Sequence, residues 1–135
     1  MDYSKLGGLI PAVVQDETTG EVLMVGFMND EAFARTRATG FATFFSRTRN
    51  TLWTKGETSG NRLQVTSMLV DCDDDTVLLK VKRLGDGNVC HTGARTCFRP
   101  LNAESGDLNA GSGDLTAGSE DANAGSKDPA YNGAS

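Results

Sequence analysis

Apolar and polar residues alternate with a period of two along much of this chain, and that period predicts a sheet. Val77, Leu79 and Val81 alternate with Leu78, Lys80 and Lys82, as expected of a strand with one side wet at its far end. Leu63, Val65 and Ser67 alternate in the same way with Gln64, Thr66 and Met68. Residues 22–28 form a nearly unbroken apolar run, which reads as a buried strand. The turn-rich segment 16–20 before it lets residues 9–15 pair back as a hairpin. Residues 41–46 and 51–55 read as two further strands around a turn at 47–50. One segment departs from the sheet pattern. Asn29 or Asp30 can cap a helix that runs to about Thr39, where Gly40 supplies a left-handed stop. Gly85-Asp86-Gly87-Asn88 marks a turn. The expected fold is α+β: a small, strand-rich domain with few helices. Strand edges in so small a sheet are open to pairing, which favours a dimer.

Composition changes this picture at one end. The 135 residues carry a net charge of −5. Residues 103–135 hold six of the 18 acids and only one of the 13 bases, leaving residues 1–102 with twelve of each sign. The same region repeats SGDLNAG, SGDLTAG and SEDANAG, too polar to offset its ordering entropy. The expected organisation is one folded domain over 1–102 and a disordered acidic low-complexity tail over 103–135. No basic excess argues for a nucleic-acid partner. No apolar run is long enough to span a membrane, and the N-terminus lacks the pattern of a signal peptide. Three cysteines cannot close a fully paired disulfide framework. A reducing, cytoplasmic setting with cysteines as metal ligands fits better, although buried thiols that merely pack would give the same count.

The densest chemistry is Asp71-Cys72-Asp73-Asp74-Asp75, followed by Cys90, His91 and Cys97. Hard carboxylate oxygens suit Mg²⁺ and soft sulfur suits Zn²⁺, so two different metals are the first hypothesis. In an extended segment Asp71, Asp73 and Asp75 would point one way and Cys72 the other. A solvated acidic turn is the plain alternative. An EF-hand is excluded, because Thr76 and Lys82 stand where its Gly and Glu belong. No C-x₂-C pair marks a structural zinc ribbon. Three sulfurs as ligands leave a fourth position for water, as in catalytic zinc, and His91 could shuttle its protons. A surface histidine is the alternative for His91.

A second dense segment runs from Ser46 to Asn61. Arg47, Arg49 and Lys55 can pair with phosphate oxygens. Trp53 can stack on a base or belong to the core. Gly56, Thr58, Ser59 and Gly60 offer exposed amides and hydroxyls for an anion. The P-loop pattern is absent.

Four stretches together, GEVLMVGFMN at 20–29, FFSRTRNTLWTKGETSGN at 44–61, DCDDDT at 71–76 and CHTGARTCF at 90–98, resemble the phosphoribosyl-AMP cyclohydrolases of histidine biosynthesis. The resemblance spans most of residues 10–98 and leaves the repeat region outside. It implies zinc on Cys72, Cys90 and Cys97, and Mg²⁺ on Asp71, Asp73 and Asp75, with Asp74 a bystander. It also implies an intertwined homodimer with zinc ligands from both subunits, and a monofunctional chain. The implied substrate is phosphoribosyl-AMP, its adenine ring opened at N1–C6 by zinc-activated water with Mg²⁺ positioning the substrate. His91 is the candidate catalytic residue. Arg47, Arg49, Trp53, Lys55, Glu57, Thr58 and Ser59 are the candidates for substrate binding. Two rival readings are a non-catalytic, zinc-stabilised nucleotide-binding module and a redox sensor built on three thiols. Neither accounts for the segment from Ser46 to Asn61.

Overall fold

The computed structural model describes residues 1–101, so the acidic repeat at 103–135 lies outside the described residues. The compact unit is Met1–Cys97. It contains β1 (Ile10–Asp16), β2 (Val22–Met28), α1 (Asp30–Thr39), β3 (Thr43–Ser46), β4 (Thr51–Thr54), β5 (Leu63–Val70) and β6 (Val77–Arg83). This is the α+β, strand-rich domain that the alternation predicts.

Four strands form one sheet in the order β2-β1-β6-β5. β1 and β2 make the expected antiparallel hairpin. β6 lies parallel to β1, and β5 runs antiparallel along β6 as the edge. Every second residue of β1 and β6 goes into the core: Ile10, Ala12 and Val14 are buried, as are Val77, Leu79 and Val81. β5 departs from its predicted alternation. A register shift between Val65 and Ser67 inserts one extra residue opposite β6. The inward-leaning residue beyond it is therefore Met68 instead of Ser67, because a bulge reverses the side-chain phase. The outer end of β5 leaves Leu69 and Val70 about half exposed, at 46% and 50%.

The helix has the caps the sequence offers. Asn29 is the N-cap, its side chain accepting from the Ala32 amide at 2.8 Å. Gly40, at φ 82°, ends the helix, and its amide donates to the Thr36 carbonyl. Asp30 and Glu31 in the first turn and Arg37 in the last complement the helix dipole. The helix is locked to β3 by one buried hydroxyl: Thr36 Oγ1 accepts from the Thr43 amide at 2.9 Å and donates to the Thr43 carbonyl at 3.1 Å.

β3 and β4 form a separate two-stranded hairpin whose register pairs Thr43 with Thr54 and Ser46 with Thr51. β3 is shorter than its predicted span, because Phe41 makes only an isolated bridge to Gln64 of β5. The hairpin thereby joins the main sheet at its base. The Ala42 amide donates to the Leu63 carbonyl, and the Lys55 amide donates to the Ala42 carbonyl, each at 3.0 Å. Among the described residues no helix is long and apolar enough to cross a membrane.

Candidate metal and substrate site

The aspartate run sits between β5 and β6, and of the two conformations the sequence leaves open, extended or turn, it takes the turn. Its amides close on themselves: Asp71 N donates to the Thr76 carbonyl and Asp74 N to the Asp71 carbonyl. Asp74 takes a positive φ of 61°. Asp71 Oδ1 accepts from the amides of Asp75 at 3.0 Å and Thr76 at 3.2 Å. The turn nevertheless gathers the three aspartates singled out by alternation. One carboxylate oxygen from each of Asp71, Asp73 and Asp75 lies within 4.8 Å of the others. A tight turn converges what a strand would only align.

This trio suits a hard divalent cation by its charge as well as its spacing. Desolvation, reinforced by the neighbouring carboxylates of Asp75 and Asp73, holds the Asp71 carboxyl above its usual range. Asp75 moves the other way, down to about 2, chiefly through its bond from Lys5. Lys5 Nζ stands 2.9 Å from both Asp73 Oδ2 and Asp75 Oδ2. A single ammonium thus bridges two of the three carboxylates. Nothing in the sequence ties Lys5 to position 73 or 75; the tether is a backbone bond from the Asp2 amide to the Asp74 carbonyl.

The second cluster is the loop after β6. Cys90 opens a short turn in which the Gly93 amide returns to the Cys90 carbonyl and the Cys90 amide donates to the Ala94 carbonyl. The loop is then stitched to β2: Cys97 N donates to the Leu23 carbonyl at 2.8 Å, and Thr96 Oγ1 donates to the Val22 carbonyl at 3.0 Å. Arg95 and Glu21 add a two-pronged ion pair. This folding brings the Cys90 and Cys97 sulfurs within reach of each other. Burial pushes the Cys90 thiol up, but bonds from Thr92 and Cys97 and the charge of Lys55 outweigh it, leaving Cys90 below its ordinary value. The Thr92 hydroxyl donates to Cys90 Sγ at 3.1 Å. Desolvation of its sulfur and the adjacent Cys90 push the Cys97 thiol up to about 12, although part of the residue is exposed. The opposite shifts are those of two sulfurs close enough for a thiolate on one to disfavour a thiolate on the other. Holding both as thiolates takes a cation, and that fits zinc.

Cys72 is exposed, and among the described residues it does not gather with Cys90 and Cys97 into a three-ligand group. His91 is exposed beside the pair, its Nδ1 4.0 Å from Cys90 Sγ.

The segment from Ser46 to Asn61 divides between two places. Arg47 and Arg49 lie at the hairpin tip, where the Arg47 guanidinium rests 4.1 Å over the Phe27 ring. Lys55 lies at the hairpin base and is buried. Trp53 packs on Phe44 with ring centroids 5.2 Å apart, so one face of it belongs to the core. The loop beyond is closed by Glu57, whose Oε1 accepts from the Thr54 amide at 3.1 Å. Gly56 is forced: a Cβ there would stand 2.3 Å from the Asn61 backbone. Thr58 and Ser59 are exposed on the loop. Asn61 then leans on the turn that leads into the cysteine loop, its Oδ1 accepting from the Asp86 amide. The contacts of Lys5, Lys55, Glu21 and Arg95 escaped sequence reading, since none is set by local spacing.

A small mixed-sheet domain with a thiol pair, a carboxylate trio and a basic hairpin offers the donor types that divalent metals and phosphates take. Comparison with known proteins narrows the reading. Residues 24–99 match the profile of the family described as phosphoribosyl-AMP cyclohydrolase. A phosphoribosyl-AMP cyclohydrolase of Desulfatibacillum aliphaticivorans is 57% identical over 101 residues, covering 75% of this chain and 80% of that protein. A protein of the same name from Geotalea uraniireducens is 56% identical over 98 residues, covering 73% and 78%. The histidine biosynthesis bifunctional protein HisIE of Bacteroides thetaiotaomicron is 54% identical over 104 residues, covering 77% of this chain but 50% of that protein. The chain belongs to the phosphoribosyl-AMP cyclohydrolase family.

Proposed function

We propose that this chain is a hydrolase of histidine biosynthesis that opens the adenine ring of phosphoribosyl-AMP at the N1–C6 bond. The observation that carries the reading is the family match over residues 24–99, which spans the hairpin, the aspartate turn and the cysteine loop. Water adds its oxygen to C6, and the N1–C6 bond breaks. The oxygen becomes that of an imidazole carboxamide. For the neutral imino form of the substrate, one water proton finishes on the exocyclic nitrogen and the other on N1, which leaves as the formimino nitrogen. The carbon attacked matches that of zinc-dependent adenine deamination, but the leaving nitrogen is in the ring.

Cys90 and Cys97 would hold Zn²⁺ together with Cys72 of a second copy, and Asp71, Asp73 and Asp75 would hold Mg²⁺. When bound, zinc supplies Lewis acidity that makes water nucleophilic near neutral pH, and Mg²⁺ supplies charge for anchoring a substrate phosphate or ribose. His91, exposed next to Cys90, carries the water's proton on a ring nitrogen. Arg47 and Arg49 present charge for a phosphate, and Thr58 and Ser59 present hydroxyls for one, on a loop whose shape Glu57 fixes. Trp53 offers its outer face for stacking. Support for a homodimer comes from Cys72 standing apart from the other two sulfurs and from the apolar edge at Leu69 and Val70 beside it.

The test is metal analysis of the purified chain joined to an ultraviolet assay on phosphoribosyl-AMP. The expected result is about one zinc per chain and ring opening that a zinc chelator abolishes. A zinc-loaded protein that binds the substrate without opening it would overturn the reading in favour of a binding module.

A further inference from the structure

The β5–β6 ladder ends at the pair Leu63 and Arg83, yet the two segments stay joined beyond it. The Leu84 amide donates to the Arg62 carbonyl at 2.9 Å. Further along, a side chain stands in for the backbone acceptor: Asn61 Oδ1 accepts from the Asp86 amide at 2.9 Å. Two glycines admit Asn61 to this place. A Cβ on Gly85 would run into Asn61 Oδ1 and stand 2.7 Å from the Gly60 carbonyl oxygen. A Cβ on Gly56 would run into the Asn61 carbonyl and stand 2.5 Å from the Arg62 nitrogen. The Asn61 backbone thus packs on the loop that carries Thr58 and Ser59, which the Gly60 amide closes onto the Gly56 carbonyl at 2.8 Å. Its side chain holds the turn that leads to Cys90. The far end of that turn is secured separately, because Arg83 Nη1 donates to the Gly87 carbonyl at 2.8 Å while its Nε holds Asp16. The cysteine loop has its own bonds to β2 through Thr96 and Cys97.

We propose, resting on the function proposed above, that Asn61 is a positioning residue for ring opening: it fixes the substrate loop to the turn that leads into the cysteine loop, and so sets where the bound ring stands relative to the attacking water. Thr58 and Ser59 precede this junction in the chain, and Cys90 and His91 follow it. Hydroxyls that grip a phosphate do so alike before and during the attack, so a loosened loop still binds. A loosened junction loses alignment instead. A displacement of about 1 Å between reacting groups costs on the order of a hundredfold in rate. The plainer role, a hydrogen bond that only steadies a turn, would show in stability and leave the kinetics alone.

The experiment uses the zinc-loaded full chain and compares Asn61→Ala, Asn61→Asp and Gly85→Ala. Alanine at 61 removes the acceptor, aspartate keeps an Oδ for the Asp86 amide, and a methyl on Gly85 pushes Asn61 Oδ1 away from it. The expected result is a fall in kcat on phosphoribosyl-AMP of roughly tenfold or more in Asn61→Ala and Gly85→Ala, with KM and zinc content near wild type. Asn61→Asp should recover most of the rate. Amide exchange read by NMR gives a measure apart from activity: Asp86 and Gly60 should exchange faster together in Asn61→Ala and stay protected in Asn61→Asp. Thermal melting identifies a variant that fails to fold, and the other then decides. A raised KM with unchanged kcat would place Asn61 in the substrate loop alone and overturn the proposal. Native kinetics with a lowered melting temperature would make it a turn stabiliser, and lost zinc a support of the cysteine loop; either overturns it. So does a rate loss in Asn61→Asp as large as in Asn61→Ala. A wild-type chain that holds zinc but opens no substrate would instead sink the function reading, and the exchange rates of Asp86 and Gly60 alone would then uphold or overturn the junction.

Discussion

Arg95 grips Glu21 with two prongs, Nε to Oε1 at 2.8 Å and Nη2 to Oε2 at 2.9 Å. The pair fastens the loop between Cys90 and Cys97 to the entrance of β2. Its geometry is the bidentate fork that carboxylate and guanidinium favour, but both partners face solvent, so its effect on global stability is small. Its consequence is local. Arg95→Ala leaves the Thr96 and Cys97 bonds to β2 in place yet frees the turn that presents Cys90. Zinc affinity should fall by roughly tenfold, measured by competition with a chromogenic chelator, while the melting temperature barely moves. An unchanged affinity would show that the backbone bonds alone set the loop.

Lys5 stands between Asp73 and Asp75, where the proposed Mg²⁺ would sit. Binding of Mg²⁺ must displace the ammonium or share the carboxylates with it. Lys5→Met should therefore tighten Mg²⁺ binding by roughly threefold to tenfold, read by calorimetry at low salt. The difference should shrink as ionic strength rises, because exposed charges are screened. Weaker binding in the variant would mean that Lys5 orders the turn for the metal.

Asp16 gives the fold a dependence on pH. Burial raises its pKa, but the amides of Thr19 and Thr18 and the Arg83 guanidinium outweigh burial and hold it below the usual carboxylate value. Arg83 Nε donates to Asp16 Oδ2 at 2.7 Å. A depressed folded pKa means stability that is present above the unfolded pKa and lost as pH falls through the folded one. Asp16→Asn should cost about 1–3 kcal/mol near neutral pH, and its deficit relative to wild type should shrink below about pH 4. Urea unfolding at several pH values measures both. A deficit that stays constant into acid would remove Asp16 as the source.

Much of this fold was legible because its signals are local. The β1–β2 hairpin follows from a turn-rich segment between two apolar stretches, and the helix follows from Asn29 and Gly40 at its ends. What was not legible depends on contacts distant in sequence. Alternation along β5 gave no hint of the bulge at Val65 and Ser67, since that shift is set by pairing with β6. The aspartate trio was found by its spacing, but the turn that converges it rests on Asp71 accepting two amides, which spacing does not encode. Lys55 was read as one of three basic residues on a hairpin. Burial separates it from the other two, and burial is a property of the assembled core.

Gly26 is a second case of a distant contact. A methyl group there would lie 2.6 Å from Cδ1 and 2.9 Å from Cε1 of Phe44. Phe44 is fully buried and backed by Trp53, so it has nowhere to move. Gly26→Ala should destabilise the fold by about 1–3 kcal/mol through overpacking. Adding Phe44→Leu should recover part of that loss. Thermal melts of the two variants check it, and a neutral Gly26→Ala would mean that β2 and the β3–β4 hairpin can separate freely.

The separation of Cys72 from Cys90 and Cys97 leads to a test by mixing. If each zinc centre takes Cys72 from one subunit and the other two sulfurs from its partner, then Cys72→Ser and Cys90→Ser each destroy both centres of their own homodimer. A mixed dimer behaves differently. One of its centres combines both mutations, and the other combines none. Random exchange of equal amounts makes half of the dimers mixed, each with one of two centres intact, so ring-opening activity should recover to about a quarter of wild type. The recovery should need time for subunit exchange and should bring zinc back in the same proportion. Two variants that stay inactive after demonstrated exchange would place all three sulfurs in one subunit. The exposed edge at Leu69 and Val70 offers a control: a charged residue at Val70 should slow or prevent the recovery without touching a metal ligand.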